Sequence, residues 1–243
     1  MAALLCLPVP TPAAPITLSV NSSLSSLTLS GGVAGLGFVA SPAGSLVDFW
    51  GGTITADLTG AVITFSGGSS INALLNPVAP LAPPIGGIIT GGVDNYGGFA
   101  SGNVAALGGA TTVNGAWRDL NLDITLGTVQ NGVAPGSGVK FKYLAGSKLE
   151  YFVTSPASTA PGVSDLSTVA AASDTALGLV AWDGTTLNLP VKFTMTGGNG
   201  LIEVWQGNIV ATVVPEPSSV ALALVGLGFF AARRARNSLS SVR

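Results

Sequence analysis

Apolar and polar residues alternate in short segments along the part of the chain before residue 215. This period of two recurs at 16–20, 27–29, 54–58, 63–65 and 120–126. A period of two places successive side chains on opposite faces of a strand, so each segment predicts a β-strand with one buried face. No segment before residue 215 shows a helical period. The pattern therefore predicts an all-β body made of antiparallel sheets.

Turn residues between apolar runs predict two hairpins. Segments 139–143 and 149–153 are expected to pair across the turn at 145–147. Segments 177–182 and 185–195 are expected to pair across Asp183-Gly184, a dipeptide that tolerates the positive φ of a tight turn. Pro190 lies in the last of these strands and predicts a sheet edge, because proline cannot donate a ladder hydrogen bond.

The same reasoning extends the second hairpin into a four-stranded meander over residues 177–214. Its third and fourth strands are 201–206 and 209–214, joined by a turn at Gly207-Asn208. By contrast, the Gly-, Pro- and Ala-rich stretch 67–112 has few side chains to pack. A long loop is predicted within it by Pro77, Pro80, Pro83 and Pro84, and another is predicted at 155–173. Glycine pairs recur at irregular spacing and no calcium-binding nonapeptide repeat occurs, which disfavours a solenoid. The expected architecture is a single β-sandwich or a strongly curved two-sheet domain.

Charged residues are scarce. They make up 8% of the 243 residues, and 34 residues are glycine, whereas about 25% of residues are charged in an ordinary soluble domain. Before Pro215 there are five basic and ten acidic side chains, a net charge of roughly −5. So few cations release few phosphate counterions, which argues against a nucleic-acid partner.

The chain has no histidine and one cysteine, Cys6. A Ser-His-Asp or Cys-His nucleophile needs an imidazole base, and structural zinc needs several Cys or His ligands. One cysteine cannot form a disulfide framework. We therefore expect no catalytic residues, no metal site and no cofactor, and we expect that the protein is not an enzyme.

Residues 1–15 are interpreted as the remnant of a signal peptide. Small residues precede a possible cleavage point, with Thr11 at −3 and Ala13 at −1, but no basic n-region is present. Leu5 before Cys6 is too bulky for a lipoprotein signal. The alternative is an uncleaved leader. The remaining boundaries place a glycine-rich all-β extracellular domain at 16–213 and a separate tail at 214–243.

The tail combines a proline break, a short apolar stretch and basic residues. Pro215, Glu216 and Pro217 come first, and residues 218–232 contain no charge. As a helix these fifteen residues span about 22 Å, which is shorter than the ~30 Å bilayer core. Local thinning of the bilayer and snorkelling of the arginines accommodate this difference in length. The predicted single transmembrane helix is anchored by Val220, Leu222, Leu224, Val225, Leu227, Phe229 and Phe230. The basic stop that follows consists of Arg233, Arg234 and Arg236. The positive-inside rule predicts that it stays in the cytoplasm and that the body lies on the opposite side of the membrane.

This order of elements resembles the PEP-CTERM family of exported bacterial proteins, with the Pro-Glu-Pro triplet matching in full. The resemblance covers only the tail. It implies that Pro215, Glu216 and Pro217 form the sorting signal recognised by exosortase, a membrane peptidase-transferase that cuts near the triplet. It also implies a Gram-negative host that makes extracellular polysaccharide and biofilm. The alternative is a permanent tail anchor with an accidental triplet.

Several polar and aromatic residues have two interpretations each. Asp119, Asn121 and Asp123 share one strand face, which predicts either calcium ligands or a solvated face. The segment 94–97, Asp-Asn-Tyr-Gly, predicts a turn or a sugar-binding loop. Glycosidase chemistry needs two carboxylates about 5–10 Å apart. The glutamates of the body are Glu150 and Glu203, and no feature of the sequence singles out two carboxylates as such a pair. Four tryptophans are expected in the core rather than stacked on sugars: Trp50, Trp117, Trp182 and Trp205.

These observations predict a membrane-anchored precursor that becomes a cell-surface or secreted structural or matrix protein. Its partners would be exosortase and the membrane through the tail, and extracellular polysaccharide through the body. The alternatives are a carbohydrate-binding module, marked by an exposed aromatic strip, and a surface glycoside hydrolase or lyase, marked by a cleft with two facing carboxylates.

Overall fold

The chain divides into two units, Met1–Val213 and Val214–Arg243. The structure, a computed structural model, describes residues 13–33, 38–40, 46–48, 50–74, 96–103, 112–135, 138–154, 159–175, 177–197 and 201–215. The predicted leader therefore lies outside the described residues except for its last three positions. The first strand begins at Ala14, two residues before the expected start of the body.

All described regular elements belong to the first unit. The strands are β1 (Ala14–Val20), β2 (Ser26–Val33), β3 (Phe38–Ala40), β4 (Leu46–Asp48), β5 (Trp50–Thr59), β6 (Val62–Phe65), β7 (Ser70–Ala73), β8 (Tyr96–Asn103), β9 (Thr112–Arg118), β10 (Asn121–Gln130), β11 (Lys140–Tyr143), β12 (Lys148–Thr154), β13 (Thr159–Asp165), β14 (Ala172–Ser173), β15 (Ala181–Trp182), β16 (Thr186–Thr196) and β17 (Leu201–Val213). A 3-10 turn, Leu166–Thr168, follows β13. The described chain contains no α-helix, so the predicted all-β class is confirmed.

The strands form two antiparallel sheets. The larger has 13 strands along the path β14-β11-β10-β6-β5-β1-β17-β16-β15, with β2, β3, β4 and β7 attached beside it. The smaller has four strands in the order β13-β12-β9-β8. Strand β8 of the smaller sheet approaches β3 and β4 of the larger one.

Strand β14 joins the two ends of the larger sheet. Ala172 and Ser173 pair with β11, and Asp174 forms a bridge to Phe193 of β16. The amide of Thr175 then donates to the carbonyl of Lys192 at 2.7 Å. The path from β11 round to β16 therefore closes on itself, and of the two predicted architectures the curved one describes this sheet better.

The core lies on the inner face of the curved sheet. Phe141 of β11 and Phe193 of β16 stack with ring centroids 4.3 Å apart, and Trp50 meets Trp205 edge-on at 6.0 Å. All four tryptophans are buried, with Trp182 the most exposed at 8%. Their assignment to the core is confirmed, and stacking on an external sugar is wrong for these four residues.

The predicted hairpin of 139–143 with 149–153 is wrong. The turn exists, since the amide of Ser147 donates to the carbonyl of Leu144 at 3.2 Å, but the flanking strands join different sheets. Strand β11 pairs with β10 and β14, whereas β12 pairs with β9 and β13. The longer ladders explain this choice, because β12 forms seven residue pairs with each neighbour and β11 has only four residues.

The hairpin across Asp183-Gly184 is confirmed, with a shorter first strand of two residues, Ala181–Trp182. Asp183 stabilises the turn, because its Oδ1 accepts from the amides of Thr185 and Thr186 at 2.8 and 2.7 Å. Gly184 has φ 95°, as the turn requires.

The sheet edge predicted from Pro190 is wrong for the strand as a whole, because β16 lies between β17 and β15. Pro190 occupies the less paired side of β16. Lys192 directs its amide and carbonyl away from β17, toward Asp174 and Thr175. Because backbone direction alternates along a strand, Pro190 also faces away from β17. On that side, β15 pairs with residues 187–188 and Asp174 pairs with Phe193. Pro190 lies between these two pairings, so the ladder needs no backbone amide there.

The predicted four-stranded meander is wrong at Gly207-Asn208. This dipeptide continues β17, which runs unbroken from Leu201 to Val213. Gly207 pairs with Val191 on one side and Leu27 on the other. A Cβ there would lie 2.1 Å from the carbonyl oxygen of Ser26. The glycine therefore marks a close approach of two backbones and not a turn.

The predicted loop at 155–173 contains strands, and so does the weakly patterned stretch 67–112. Strands β7, β8 and the start of β9 lie in 67–112, and β13, the 3-10 turn and β14 lie in 155–173. The proline-rich part of the first loop, at 77–84, lies outside the described residues. Pro161 fits β13 because β13 is an edge strand, paired on one side with β12.

The face predicted for 120–126 changes phase within β10. Leu120, Leu122 and Ile124 are buried, but Leu126 is 53% exposed. The pairing of β10 with β11 shifts register between Ile124 and Leu126. A β-bulge of this kind turns the following residues to the other face, so strict alternation fails beyond it.

We predict that Gly207→Ala lowers the free energy of unfolding by about 1–3 kcal/mol, because the added methyl group overlaps the β2 backbone. Chemical denaturation of Gly207→Ala and of the control Gly138→Ala measures this effect. Gly138 has no heavy atom within 4 Å of an added Cβ, so its substitution should change stability little. Equal stability of the two variants would contradict the observed register of β17 and β2.

Candidate functional site

A buried carboxylate lies between the two sheets. Glu203 of β17 is 1% exposed. Its Oε1 accepts a hydrogen bond from Trp117 Nε1 at 2.5 Å, and its Oε2 accepts from the Tyr143 hydroxyl at 2.7 Å. The same hydroxyl accepts from Trp205 Nε1 at 2.6 Å. These four residues are called the Glu203 cluster.

Three strands position the cluster. Glu203 and Trp205 lie two residues apart on β17, so both point to the inner face. Tyr143 is the last residue of β11, and Trp117 is the only member from the smaller sheet, on β9. The bond from Trp117 to Glu203 therefore connects the smaller sheet to the larger one.

Burial and hydrogen bonding act on Glu203 in opposite directions. Desolvation raises the pKa of Glu203 above its ordinary value, while the donors Trp117 and Tyr143 oppose this rise by stabilising the carboxylate. Burial raises the pKa of Tyr143 well above 10, and the neighbouring charge of Glu203 raises it further. The Tyr143 hydroxyl therefore stays protonated and remains a donor at neutral pH.

The geometry of the cluster suits joining sheets better than catalysis. A general acid or base must reach a substrate atom within hydrogen-bonding distance. Both oxygens of Glu203 already bind protein donors, and almost no part of the residue is exposed. No motif in the sequence singles out Glu203. The alternation of side chains along the strand could have identified Glu203. It lies two residues before Trp205, so the two side chains share the inward face of β17.

The polar face at 119–123 serves the protein's own backbone and side chains. Asp119 forms an ion pair with Lys148 at 3.2 Å, and Asn121 Oδ1 accepts from the hydroxyl of Ser70 at 3.1 Å. Asp123 Oδ1 accepts from the amide of Ser69 at 2.8 Å. Asp123 is buried, so the solvated-face interpretation is wrong for this residue. Over the described residues, no group of three or more Asp, Glu, Cys or His side chains could hold a metal ion.

Two other candidates fall partly outside the described residues. The first two residues of the segment 94–97 lie outside the described residues. Tyr96 and Gly97 belong to strand β8, so the turn predicted for this segment is wrong at these two positions. Glu150 lies on β12, but the structure does not describe its side chain.

The predicted sorting signal starts just beyond the last strand. Strand β17 ends at Val213, whose amide donates to the carbonyl of Thr185 at 2.8 Å. Val214 and Pro215 follow and are exposed. The rest of the predicted signal, anchor and basic stop lies outside the described residues. In the described ranges, no helix has the length and apolar character needed to cross a membrane.

Residues 213–237 match the family model of the PEP-CTERM protein-sorting motif. This match includes the Pro-Glu-Pro triplet, the predicted anchor and the basic stop, so the resemblance found in the tail is confirmed. Neither a curated protein nor a solved structure matches the chain.

We predict that the wild-type protein loses stability as the pH rises above the ordinary carboxyl pKa, 4.5 in the unfolded chain. The folded pKa of Glu203 is raised, so the folded state binds more protons than the unfolded state in this range, and unfolding becomes easier with rising pH. Denaturation from about pH 4.5 to 8 measures the slope, which Glu203→Gln should reduce.

Other groups act outside this window. Hydrogen bonds lower the pKa values of the exposed Asp165 and Asp183, so their stabilisation is present above the unfolded pKa and is lost at lower pH. The Tyr143 pKa is raised above 10, so its effect comes at higher pH. An unchanged slope in Glu203→Gln would show that Glu203 does not titrate differently on folding.

We predict that Tyr143→Phe lowers the free energy of unfolding by at least about 1–3 kcal/mol, because Glu203 Oε2 and Trp205 Nε1 both lose a buried partner. A double-mutant cycle with Glu203→Gln measures the coupling. The two effects should be non-additive, because the residues share one hydrogen bond. Strict additivity would argue against that bond.

Proposed function

Because residues 213–237 carry a PEP-CTERM protein-sorting motif, we propose that the chain is a structural or matrix protein of the bacterial surface. The motif marks an exported protein that exosortase processes. The finer proposal is that the β body, once delivered, remains at the cell surface or is released, where it associates with extracellular polysaccharide in a biofilm.

The position of the motif supports this proposal most strongly. Its first residue, Val213, is the last residue of β17. Sheet pairing ends at Val213, through Leu18 on β1 and the carbonyl of Thr185. A cut near the Pro-Glu-Pro triplet would therefore remove none of the described sheet pairing. The released body would keep its fold.

The nature of the body supports a structural role rather than an enzymatic one. Its buried carboxylate Glu203 binds two protein donors, and Asp123 binds the backbone at Ser69. These acidic groups stabilise the fold and are not presented to a substrate. We accordingly propose that the body has no catalytic activity of its own.

The first alternative is a carbohydrate-binding module that stacks sugars on aromatic rings. The aromatic side chains described by the structure are all buried; they are Trp50, Phe65, Trp117, Phe141, Tyr143, Trp182, Phe193 and Trp205. This observation favours a matrix role over an aromatic sugar platform for the described surface.

The tail completes the proposal as a temporary anchor. Residues 218–232 would span the membrane as one short helix, and Arg233, Arg234 and Arg236 would hold its end in the cytoplasm. This orientation leaves the body on the outer side, where exosortase meets the triplet formed by Pro215, Glu216 and Pro217.

We predict that the mature protein from its native host ends near residues 215–217. Intact-mass measurement with C-terminal peptide mapping checks this end point in the wild-type host and in a host lacking exosortase. The precursor ending at Arg243 should accumulate in the membrane fraction of the second host. Replacing Pro215, Glu216 and Pro217 by alanine should have the same effect in the first host.

A matched control replaces Glu203 by glutamine, which changes one glutamate in the body and leaves the motif intact. This variant should be processed as the wild type is, provided that it folds. A wild-type chain that still ends at Arg243 in the membrane fraction would overturn the proposal, because the tail would then be a permanent anchor.

A further inference from the structure

The few cations of the body are distributed unevenly. Of its five basic residues, Arg118 is buried and Lys148 forms an ion pair with Asp119. The other three are Lys140 and Lys142 on β11 and Lys192 on β16. Strand β14 lies between these two strands. The cations available to a ligand thus gather where the larger sheet closes.

All three lysines lie on the outer face of the sheet. On β11 the buried residues are Phe141 and Tyr143, so the alternate positions 140 and 142 point outward. On β16 the buried neighbours Val191 and Phe193 place Lys192 outward in the same way. Ser173 is the last residue of β14, Thr175 lies two positions further on, and both are exposed. These five residues, Lys140, Lys142, Ser173, Thr175 and Lys192, are called the lysine face.

The pairing brings the lysine face together. Lys140 lies opposite Ser173, and the amide of Thr175 donates to the carbonyl of Lys192. Two strand spacings and a two-residue stagger separate the backbones of Lys140 and Lys192 by about 12 Å, because Lys140 lies opposite Ser173 and Lys192 lies opposite Thr175. Lys140 and Lys142 are about 6.6 Å apart along β11. The three flexible side chains can therefore reach anionic groups on one bound chain.

Two carboxylates lie beside the lysine face. Asp174 Oδ1 accepts from the amide of Lys192 at 2.7 Å, and Asp123, paired with Lys142 in the ladder, accepts from the amide of Ser69 at 2.8 Å. Both carboxylates are buried and bound to backbone donors. They reduce the positive potential of the face, while the lysine side chains remain the groups that a ligand meets first.

We propose that the lysine face binds an acidic polysaccharide, that is, a hydroxyl-rich chain carrying carboxylates. This inference rests on the proposed matrix role and names the class of polymer. Ammonium groups attract the carboxylates, and the Ser173 hydroxyl can hydrogen-bond to sugar hydroxyls. The Thr175 hydroxyl donates to the carbonyl of Lys192 at 2.9 Å, so it can only accept from a sugar hydroxyl. Single-stranded nucleic acid fits less well, because such sites stack bases on aromatic rings, and the described aromatic side chains are all buried.

Binding of the full chain in mild detergent to polygalacturonate tests the proposal. Neutral dextran, single-stranded DNA and phosphatidylglycerol vesicles are the comparison probes. The wild type should bind polygalacturonate at low ionic strength and release it as salt screens the charges. Substituting glutamine for all three lysines should weaken binding by about tenfold or more.

Single variants provide a charge-matched control. Lys192→Gln and Lys148→Gln each remove one positive charge, but Lys148 already pairs with Asp119. Lys192→Gln should weaken binding more than Lys148→Gln does. Equal losses, equal affinity for dextran or DNA, or preference for the vesicles would each overturn the proposal.

Processing in the native host separates this inference from the proposed function. The triple variant should still be cut near residues 215–217, because the lysine face lies outside the sorting motif. Normal processing without polygalacturonate binding would overturn the polysaccharide site alone. Failure of the wild type to be processed would overturn the proposed export route, whatever the binding result.

Discussion

The body depends on the pairing of β17 along both of its edges. Residues 202–212 of this 13-residue strand pair with β16 on one side, and residues 201–208 and 211–213 pair with β2 and β1 on the other. Such double pairing satisfies the backbone donors and acceptors of a strand whose inner face is buried. It also requires the backbones to approach closely at Gly207. The inner face of β17 supplies Trp205 to the core and Glu203 to the Glu203 cluster.

The Glu203 cluster shows how a body with few charges uses one of them internally. Burying a carboxylate costs free energy unless donors compensate for the lost water. Trp117, Tyr143 and Trp205 supply a connected set of donors, and each is an aromatic residue that also fills the core. An apolar residue at 203 would avoid the desolvation cost but would leave the Trp117 N–H without this partner. The carboxylate thereby specifies how β9 sits against β17.

The sequence was sufficient to predict the all-β class, the positions of several strands and the sorting motif of the tail, but not the partners of the strands. Alternation located β1, β5, β6 and β16, since side-chain direction is a local property. The false hairpin at 139–153 arose because alternation does not reveal which strand β11 prefers. In the sequence, a glycine required by a neighbouring backbone looks the same as a turn glycine, so the pattern predicts a turn at Gly207. Glu203 was missed for a related reason, as its donors come from residues 60 and 86 positions away.

The order of the chain connects folding with sorting. Strand β17 pairs with β1, and Ser25 donates to the carbonyl of Val210 across 185 positions. Contacts this distant in sequence carry a large loop-closure entropy, so they are slow to form and need the whole body to be present. The sorting motif begins at Val213, the final residue of that same strand. The segment that completes the sheet and the segment that directs export are therefore adjacent, and the motif follows a strand that is fully paired only in the folded body.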